Sequence, residues 1–452
     1  MTSTAVYAQT LSLDSCRVAA LENNKTVKEA QLHVKESEQI KKAAFTKYFP
    51  KVDASASAFK SDKGFIDMEI PQMNLPVYDG NPLNLLNPTE FAYFPGMSVQ
   101  TLDYTNLAMI TAVQPVYAGG KIVNGNKLAK LGTEVSKAKL NLSKEDVILK
   151  TDRLYWTLVS LKEKKQTLEG YEKLLNSLLK DVNISYNAGL IEKTDVLKVQ
   201  LKLNEIEADK LKLNNAVSIV KMSLCQHTGI TYTEDFDVSD TVVKIENPEK
   251  LFVLPGQALG NRDEYRMLNM AVEAEELKRK MERGEYMPKL AVGVSGMYLD
   301  MLDYDNTYGV IFATVTIPLS DWWGGSHKLK EHKIRIEAAK TNLDEKTELM
   351  QLQIKKAYMN LTESYNQIQV AELSVKEAKE HLNTITGNYN SGIVAMSDLL
   401  EAQAVYIQAN DNLTNAKSTY KIRVSEYKRV VGMLNETIMQ EQATVYDKNG
   451  TK

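Results

Sequence analysis

Residues 186–197, YNAGLIEKTDVL, return 203 positions later as residues 389–400, YNSGIVAMSDLL. Other landmarks keep the same spacing: Gln114-Pro115-Val116 is answered by Ile317-Pro318-Leu319, and Gly229 by Gly432. Further upstream, Phe49-Pro50-Lys51 is answered by Met287-Pro288-Lys289 at a spacing of 238. The difference of 35 residues falls between the two prolines of the first copy. There, residues 60–97 hold five of the chain's eleven prolines, Pro71, Pro76, Pro82, Pro88 and Pro95. A repeat of nearly half the chain with a single insertion marks an internal duplication.

Each copy reads as helix, strand hairpin, very long helix, break and shorter helix. The first copy, 11–229, predicts a helix over 11–48, which lacks Gly and Pro, then strands over 51–60 and 98–117. The proline-rich 60–97 reads as a long surface loop with little regular structure. A long helix over 121–186 and a shorter one over 194–228 complete the copy. The second copy, 263–433, predicts a helix over 263–286, strands over 289–299 and 308–319, a long helix over 325–388 and a helix over 397–431. Residues 230–262 form a mixed segment between the copies, and 434–452 a tail. In 1–10, Ala5-Val6-Tyr7-Ala8 before Gln9 fits the small-x-small end of a signal peptide, with a short disordered leader as the other reading.

The long helices limit the shape. Leu128, Val135, Leu142, Leu149 and Trp156 recur every seven residues, the mark of an apolar seam on a supercoiled helix. At 1.5 Å per residue such a helix reaches about 100 Å, wider than any globular core, so long helices must pack side by side. Two short helices stacked end to end match one long helix.

The hairpin MPKLAVGVSGMYLDMLDYDNTYGVIFATVTIPLSDWW, residues 287–323, has two runs flanking a polar turn at 300–307. Leu290, Val292 and Val294 fall on one face, and Ala291, Gly293 and Ser295 on the other, as in a tilted strand about long enough to cross a bilayer. One chain supplies four strands. Four cannot close a barrel, and an open edge in lipid leaves backbone groups unsatisfied. Copies must combine, giving eight strands as a dimer or twelve as a trimer.

Bulk properties exclude other classes. The chain has 452 residues and a net charge of −3, with no basic field for nucleic acid. No window approaches 18 consecutive apolar residues, which excludes a spanning helix but not a barrel. Cys16 and Cys225 are too few for a disulfide framework, and read as buried free thiols that lie near each other if the first and third helices abut. His33, His227, His327, His332 and His381 form no metal-ligand set, and no Walker loop, GxGxxG or GxSxG is present. The reading is therefore not an enzyme, with no cofactor and no metal.

The opening TLSLDSCRVAALENN, the two helix–hairpin–helix halves and the two turns together resemble the TolC family of outer-membrane efflux channels over essentially the whole chain. The resemblance implies a mainly α fold with membrane β: a homotrimer with a shared twelve-stranded β-barrel in the outer membrane and an α-helical tunnel through the periplasm. It also implies docking to a periplasmic adaptor that links to an inner-membrane pump. The competing reading is a helical scaffold or periplasmic adaptor without a membrane barrel.

Four residues are candidates at the channel entrance. Asp195 and Asp398 follow Thr194 and Ser397, which read as N-caps with an acid in the first turn. Glu401 lies one turn beyond Asp398, whereas the first copy has Lys198 there, so an inward acidic ring would come from the second copy alone. By resemblance, Tyr389 helps hold the entrance closed with Asp195 as an acidic partner. Val394 replaces a family arginine, which puts a salt-bridged latch in doubt. Gly189, Leu190, Gly392 and Ile393 form the tips where an adaptor would dock. Trp322, Trp323 and Tyr117 read as interfacial anchors against outer-membrane lipid, with core packing as the alternative.

Overall fold

A computed structural model describes residues 10–62, 66–101, 104–241, 245–301 and 304–434. The expected leader and tail lie outside the described residues except for Thr10 and Leu434. In chain order the elements are β1 (Thr10–Leu11), α1 (Leu13–Asn23), α2 (Lys25–Phe45), β2 (Lys51–Lys60), β3 (Ile66–Ile70), β4 (Met73–Pro76), β5 (Phe91–Phe94), β6 (Met97–Thr101), β7 (Tyr104–Ala118) and α3 (Lys121–Asn187). They continue with α4 (Lys193–Thr228), β8 (Asp237–Val238), α5 (Pro255–Ala258), α6 (Asp263–Glu285), β9 (Lys289–Met301), β10 (Tyr304–Thr316), α7 (Trp322–Asn390) and α8 (Met396–Val430). Among the described residues no helix is long and apolar enough to cross a membrane.

Two compact units form. The strand-bearing unit comprises Ile40–Ala129 and Glu276–Ile334. Its sheet is antiparallel throughout, in the order β10-β9-β7-β2. The register aligns Val52, Ala112, Val294 and Ile311 across one face, with Ala54, Ile110, Gly296 and Gly309 in the next row. Every side chain in these rows is apolar, and Val52, Ile110, Val294 and Ile311 are exposed at 64%, 58%, 52% and 86%. The opposite face is mixed: Asp53, Thr111 and Ser295 share a row with Val310, and Ser55 shares one with Met109, Met297 and Tyr308, and the Thr111 and Ser295 hydroxyls hydrogen-bond at 2.8 Å. Pro115 stands at a register shift in β7, between Pro115 and Tyr117, the kind of position where a strand tolerates proline.

The helical unit comprises Met1–Gln39, Lys130–Glu275 and Arg335–Lys452. One core gathers Cys16, Tyr155, Trp156, Leu224, Cys225 and Phe236. Both thiols are free and buried, and burial pushes Cys16 up to about 12. β1 and β8 pair in parallel beside this core, and the Tyr155 hydroxyl donates to Asp240 Oδ2 at 2.7 Å. A second core collects Ile354, Leu361, Tyr420 and Tyr427. A third, between the ends of α3 and α7 and the starts of α4 and α8, holds Leu175, Val199, Met396 and Leu399.

Several elements differ from the sequence reading. The expected helix 11–48 is two helices and a short 3-10 turn, broken at Asn24, whose backbone is extended. The Asn24 side chain accepts from the Thr26 N–H at 2.9 Å and donates to the His227 carbonyl at 2.9 Å, so a local cap replaces helix continuation. The loop expected over 60–97 contains two short antiparallel ladders, β3–β6 and β4–β5. The prolines bound these ladders instead of forbidding them: Pro71 separates β3 from β4, and Pro95 separates β5 from β6. Within the expected strand 98–117, β6 pairs with β3 and β7 with β2, and residues 102 and 103 lie outside the described residues. The polar turn expected at 300–307 is mostly ladder, with Met301 opposite Tyr304, because Asp, Asn and Thr on a solvated face do not prevent pairing. α7 begins at the tryptophans, earlier than the expected residue 325.

The seven-residue seam is shifted as well. Leu128, Val135, Leu142 and Leu149 are only half-buried and Trp156 alone of the expected seam is buried, while Ala138, Glu145, Asp152 and Val159 are buried at 1%, 4%, 0% and 1% exposure. Asp152 accepts two bonds from Arg17 at 2.7 Å each and one from Ser425 at 2.5 Å. A buried ion pair occupies a position that hydrophobicity alone assigns to solvent.

Candidate functional site

The candidate entrance lies at the two helix turns of the helical unit. At the end of α3 the Gly189 N–H donates to the Tyr186 carbonyl at 2.8 Å, and the Leu190 N–H to the Ser185 carbonyl at 2.9 Å. At the end of α7, Gly392 bonds to Tyr389 and Ile393 to Asn388, each at 2.9 Å. Both glycines have positive φ, 72° and 73°, which ends the helix by a left-handed residue that L side chains rarely adopt. Leu190 and Ile393 follow, exposed at 78% and 71%. These two aliphatic side chains have no cover among the described residues.

The caps sit two residues earlier than expected. The N-caps are Glu192 and Ala395, not Thr194 and Ser397. Ala395 has no side chain to cap with. Instead Asp398, at the third helical position, accepts the Ala395 N–H at 3.1 Å. Asp195 stands at the same position of α4, but Lys198 Nζ lies 3.1 Å from its carboxylate. Asp398 and Glu401 are both exposed, and neither has a cationic partner among the described residues. The acidic charge is thus compensated in the first copy and bare in the second.

Tyr389 is half-buried against the third core. Burial, then the charges of Asp195 and Asp181, push its phenol up. It is near Asp195, but no hydrogen bond joins them among the described residues.

Three anchors were expected in the strand-bearing unit. Tyr117 and Trp322 are each 48% exposed and Trp323 84%, so none packs in the core of this chain. The Trp322 indole donates to the Tyr286 carbonyl at 2.9 Å, and the Tyr117 hydroxyl to Met287 Sδ at 3.2 Å. Each keeps its polar end tied and its ring in the open. The sequence reading missed Phe45, Tyr48 and Phe49, which are also exposed and stack edge-on with centroids 5.5–5.6 Å apart. Aromatic spacing before Pro50 was the available signal, hidden by the assignment of a continuous helix.

The helical unit also buries a glutamate and a histidine away from the turns. Glu145 is pushed up to about 7 by burial and by Glu264, against the lowering effect of Arg429. His227 is held below its usual range by burial, its Nε2 at 3.0 Å from the Val147 carbonyl and its Nδ1 at 3.2 Å from the Asn24 amide. No group of metal-ligating side chains occurs among the described residues.

The sequence profile of the family described as outer membrane efflux protein matches residues 17–229 and 254–432. The chain is 19% identical over 324 residues to outer membrane protein TolC of Salmonella enteritidis, covering 69% of this chain and 66% of that protein. It is 21% identical over 316 residues to TolC of Escherichia coli (strain K12), covering 65% of this chain and 62% of that protein. The chain thus spans a little under two thirds of the length of these relatives. Its fold is similar to the CmeC outer membrane channel of Campylobacter jejuni, with a TM-score of 0.73 and 16% identity over 95% of this chain and 89% of that one. Two thin sequence matches and one broad fold match agree with a profile that covers both copies of the repeat. The chain belongs to the TolC family of outer-membrane efflux proteins, with its place in the outer membrane and a large helical part in the periplasm.

Proposed function

We propose that the protein is the passive exit duct of an efflux or secretion assembly. Three copies pair β2 of one with β10 of the next and close a twelve-stranded barrel, continued by a helical tunnel. The observation that carries this reading is the four-stranded antiparallel sheet with two edges that no strand pairs among the described residues. Large apolar side chains stand exposed along it, among them Val52, Ile110, Val294, Val310 and Ile311. Exposed apolar surface of that kind suits lipid. Strands of 10, 15, 13 and 13 residues reach the length a tilted membrane strand needs.

In this reading Asp398 and Glu401 ring the periplasmic entrance and favour cations, while Asp195 is muted by Lys198. Tyr389 steadies the entrance by packing. The exposed tips Gly189–Leu190 and Gly392–Ile393 receive a periplasmic adaptor, which couples the duct to an inner-membrane pump. Transported molecules are driven by that pump, because nothing in the duct performs chemistry. Tyr117, Trp322 and Trp323 anchor the barrel at the membrane interface.

Detergent extraction, a mass measurement and conductance in a planar bilayer test the proposal together. The expected result is a particle of three chains that requires detergent and conducts ions steadily. A water-soluble monomer stable without detergent overturns it and returns the helical scaffold reading.

A further inference from the structure

In the strand-bearing unit a cavity of about 860 Å³ opens where three stretches meet: the end of α2 with the start of β2, the end of β7 with the start of α3, and the end of α6 with the start of β9. Phe49, Val52, Pro115, Ile122 and Met281 give it apolar walls. Four lysines also line it: Lys47, Lys51, Lys121 and Lys289. Lys121 and Lys289 share the Glu285 carboxylate. Lys51 lies 2.9 Å from Asp53 with 79% of its side chain in solvent. Lys47 is exposed, with no acidic partner among the described residues. Four cations face two acids, so the cavity keeps a surplus of positive charge.

The duplication supplies an internal control. Position for position, Lys47 is answered in the second copy by Glu285, Phe45 by Arg283 and Phe49 by Met287. The second copy therefore lacks both the unpaired lysine and the aromatic cluster.

We propose that this cavity holds one anionic phospholipid, its phosphate on Lys47 and Lys51 and part of an acyl chain along Phe49, Ile122 and Met281. The inference rests on reading the sheet as membrane-spanning, which brings a lipid leaflet to this boundary. A free phosphate would leave the apolar walls wet, and a wholly apolar occupant would leave the lysine surplus unmatched. A phospholipid satisfies both with one molecule, and juxtamembrane lysines are known to favour anionic headgroups.

The test uses the full protein, stripped of lipid in detergent and titrated with phosphatidylglycerol or phosphatidylcholine under native mass spectrometry. The wild type should retain phosphatidylglycerol about 25-fold better, given about fivefold for each of the two lysines near an anionic headgroup. The double variant Lys47→Glu with Lys51→Glu should lose that preference. Arg283→Glu, the same kind of charge reversal at the position answering Phe45, should keep it. Equal retention of the two lipids by the wild type, an unchanged preference in the double variant, or displacement of the lipid by excess inorganic phosphate overturns the inference. Conductance of each variant checks that it is intact. A protein that needs no detergent fails the duct reading beneath, whereas a conducting channel without lipid preference fails this inference alone.

Discussion

Gly229 and Gly432 end equivalent helices with φ of 71° and 75°, and each lies against an equivalent asparagine, Asn23 or Asn261. The tips agree as closely, with the same pair of capping bonds after α3 and after α7. Side chains on the helix faces diverge much further. Asp152, fully buried on Arg17 and Ser425, is answered by exposed Lys355. Glu145, buried, is answered by a glutamate in the open, Glu348. Lys198 is answered by Glu401 and Lys47 by Glu285. A turn tolerates few backbone solutions, so duplication preserves it. A helix face keeps its period while exchanging partners, so the two copies came to carry different charges on one scaffold.

The largest expected effect separates the copies at their cores. Asp152→Ala leaves the Arg17 guanidinium without its main partner in a buried setting, which costs about 3–5 kcal/mol. Lys355→Ala, at the answering position, should change stability by about 0.5 kcal/mol or less. Denaturant unfolding in detergent reads both, and equal losses would break the comparison. Glycine substitutions should instead unite the copies. A Cβ on Gly229 would lie 2.4 Å from Asn23 Cβ, and one on Gly432 2.8 Å from the Asn261 backbone, each also in the left-handed region. Alanine at either should cost about 2–3 kcal/mol, adding steric displacement to backbone strain. Gly189→Ala meets nothing within 4 Å and should show the backbone term alone, about 1 kcal/mol.

These numbers also explain what could be read without coordinates. The repeat, the insertion, the breaks and the tip glycines were legible because Gly, Pro and a fixed spacing report backbone geometry directly. The two apolar rows of the sheet were legible from the alternation around Val292 and Val294. The break at Asn24 was not, because its reason is the His227 carbonyl, distant in the chain. Glu145 and Asp152 read as a solvated face because burial of an acid depends on partners that periodicity does not name. The ladders within 60–97 were hidden by the prolines that end them. At the candidate entrance, the acids and tip residues were visible. Their caps were not, since Ala395 is capped from within the helix by Asp398 rather than by a hydroxyl before it.

Glu145 and Glu348 sharpen the comparison by pH. The folded pKa of Glu145, about 7, lies above its ordinary 4.5, so the folded protein holds this proton more tightly than the unfolded chain. Its favourable contribution is complete below 4.5 and is lost as pH rises through 7. Glu145→Gln should therefore stabilise the protein at pH 8 by about 1–3 kcal/mol and have little effect at pH 4. Glu348→Gln, an exchange at the exposed answering position, should change stability by about 0.5 kcal/mol or less. A pH-independent gain at Glu145 would point to packing rather than ionisation.

The smallest expected effect lies at the entrance. Asp398 and Glu401 have no cationic partner among the described residues, whereas Lys198 lies 3.1 Å from Asp195. In a trimer the second copies would contribute six carboxylates and the first copies three nearly neutral pairs. Asp398→Asn with Glu401→Gln should reduce cation-over-anion permeability several-fold, on the order of 1 kcal/mol. Asp195→Asn should change it less, and Lys198→Glu should raise it by completing the second ring. These side chains face water, so the differences should shrink as salt shortens the Debye length from about 10 Å at 0.1 M to about 3 Å at 1 M. Single-channel reversal potentials at the two ionic strengths read the result. Selectivity unchanged in the Asp398/Glu401 variant would remove those residues from the entrance, and equal responses at Asp195 would show that Lys198 does not mute the first copy.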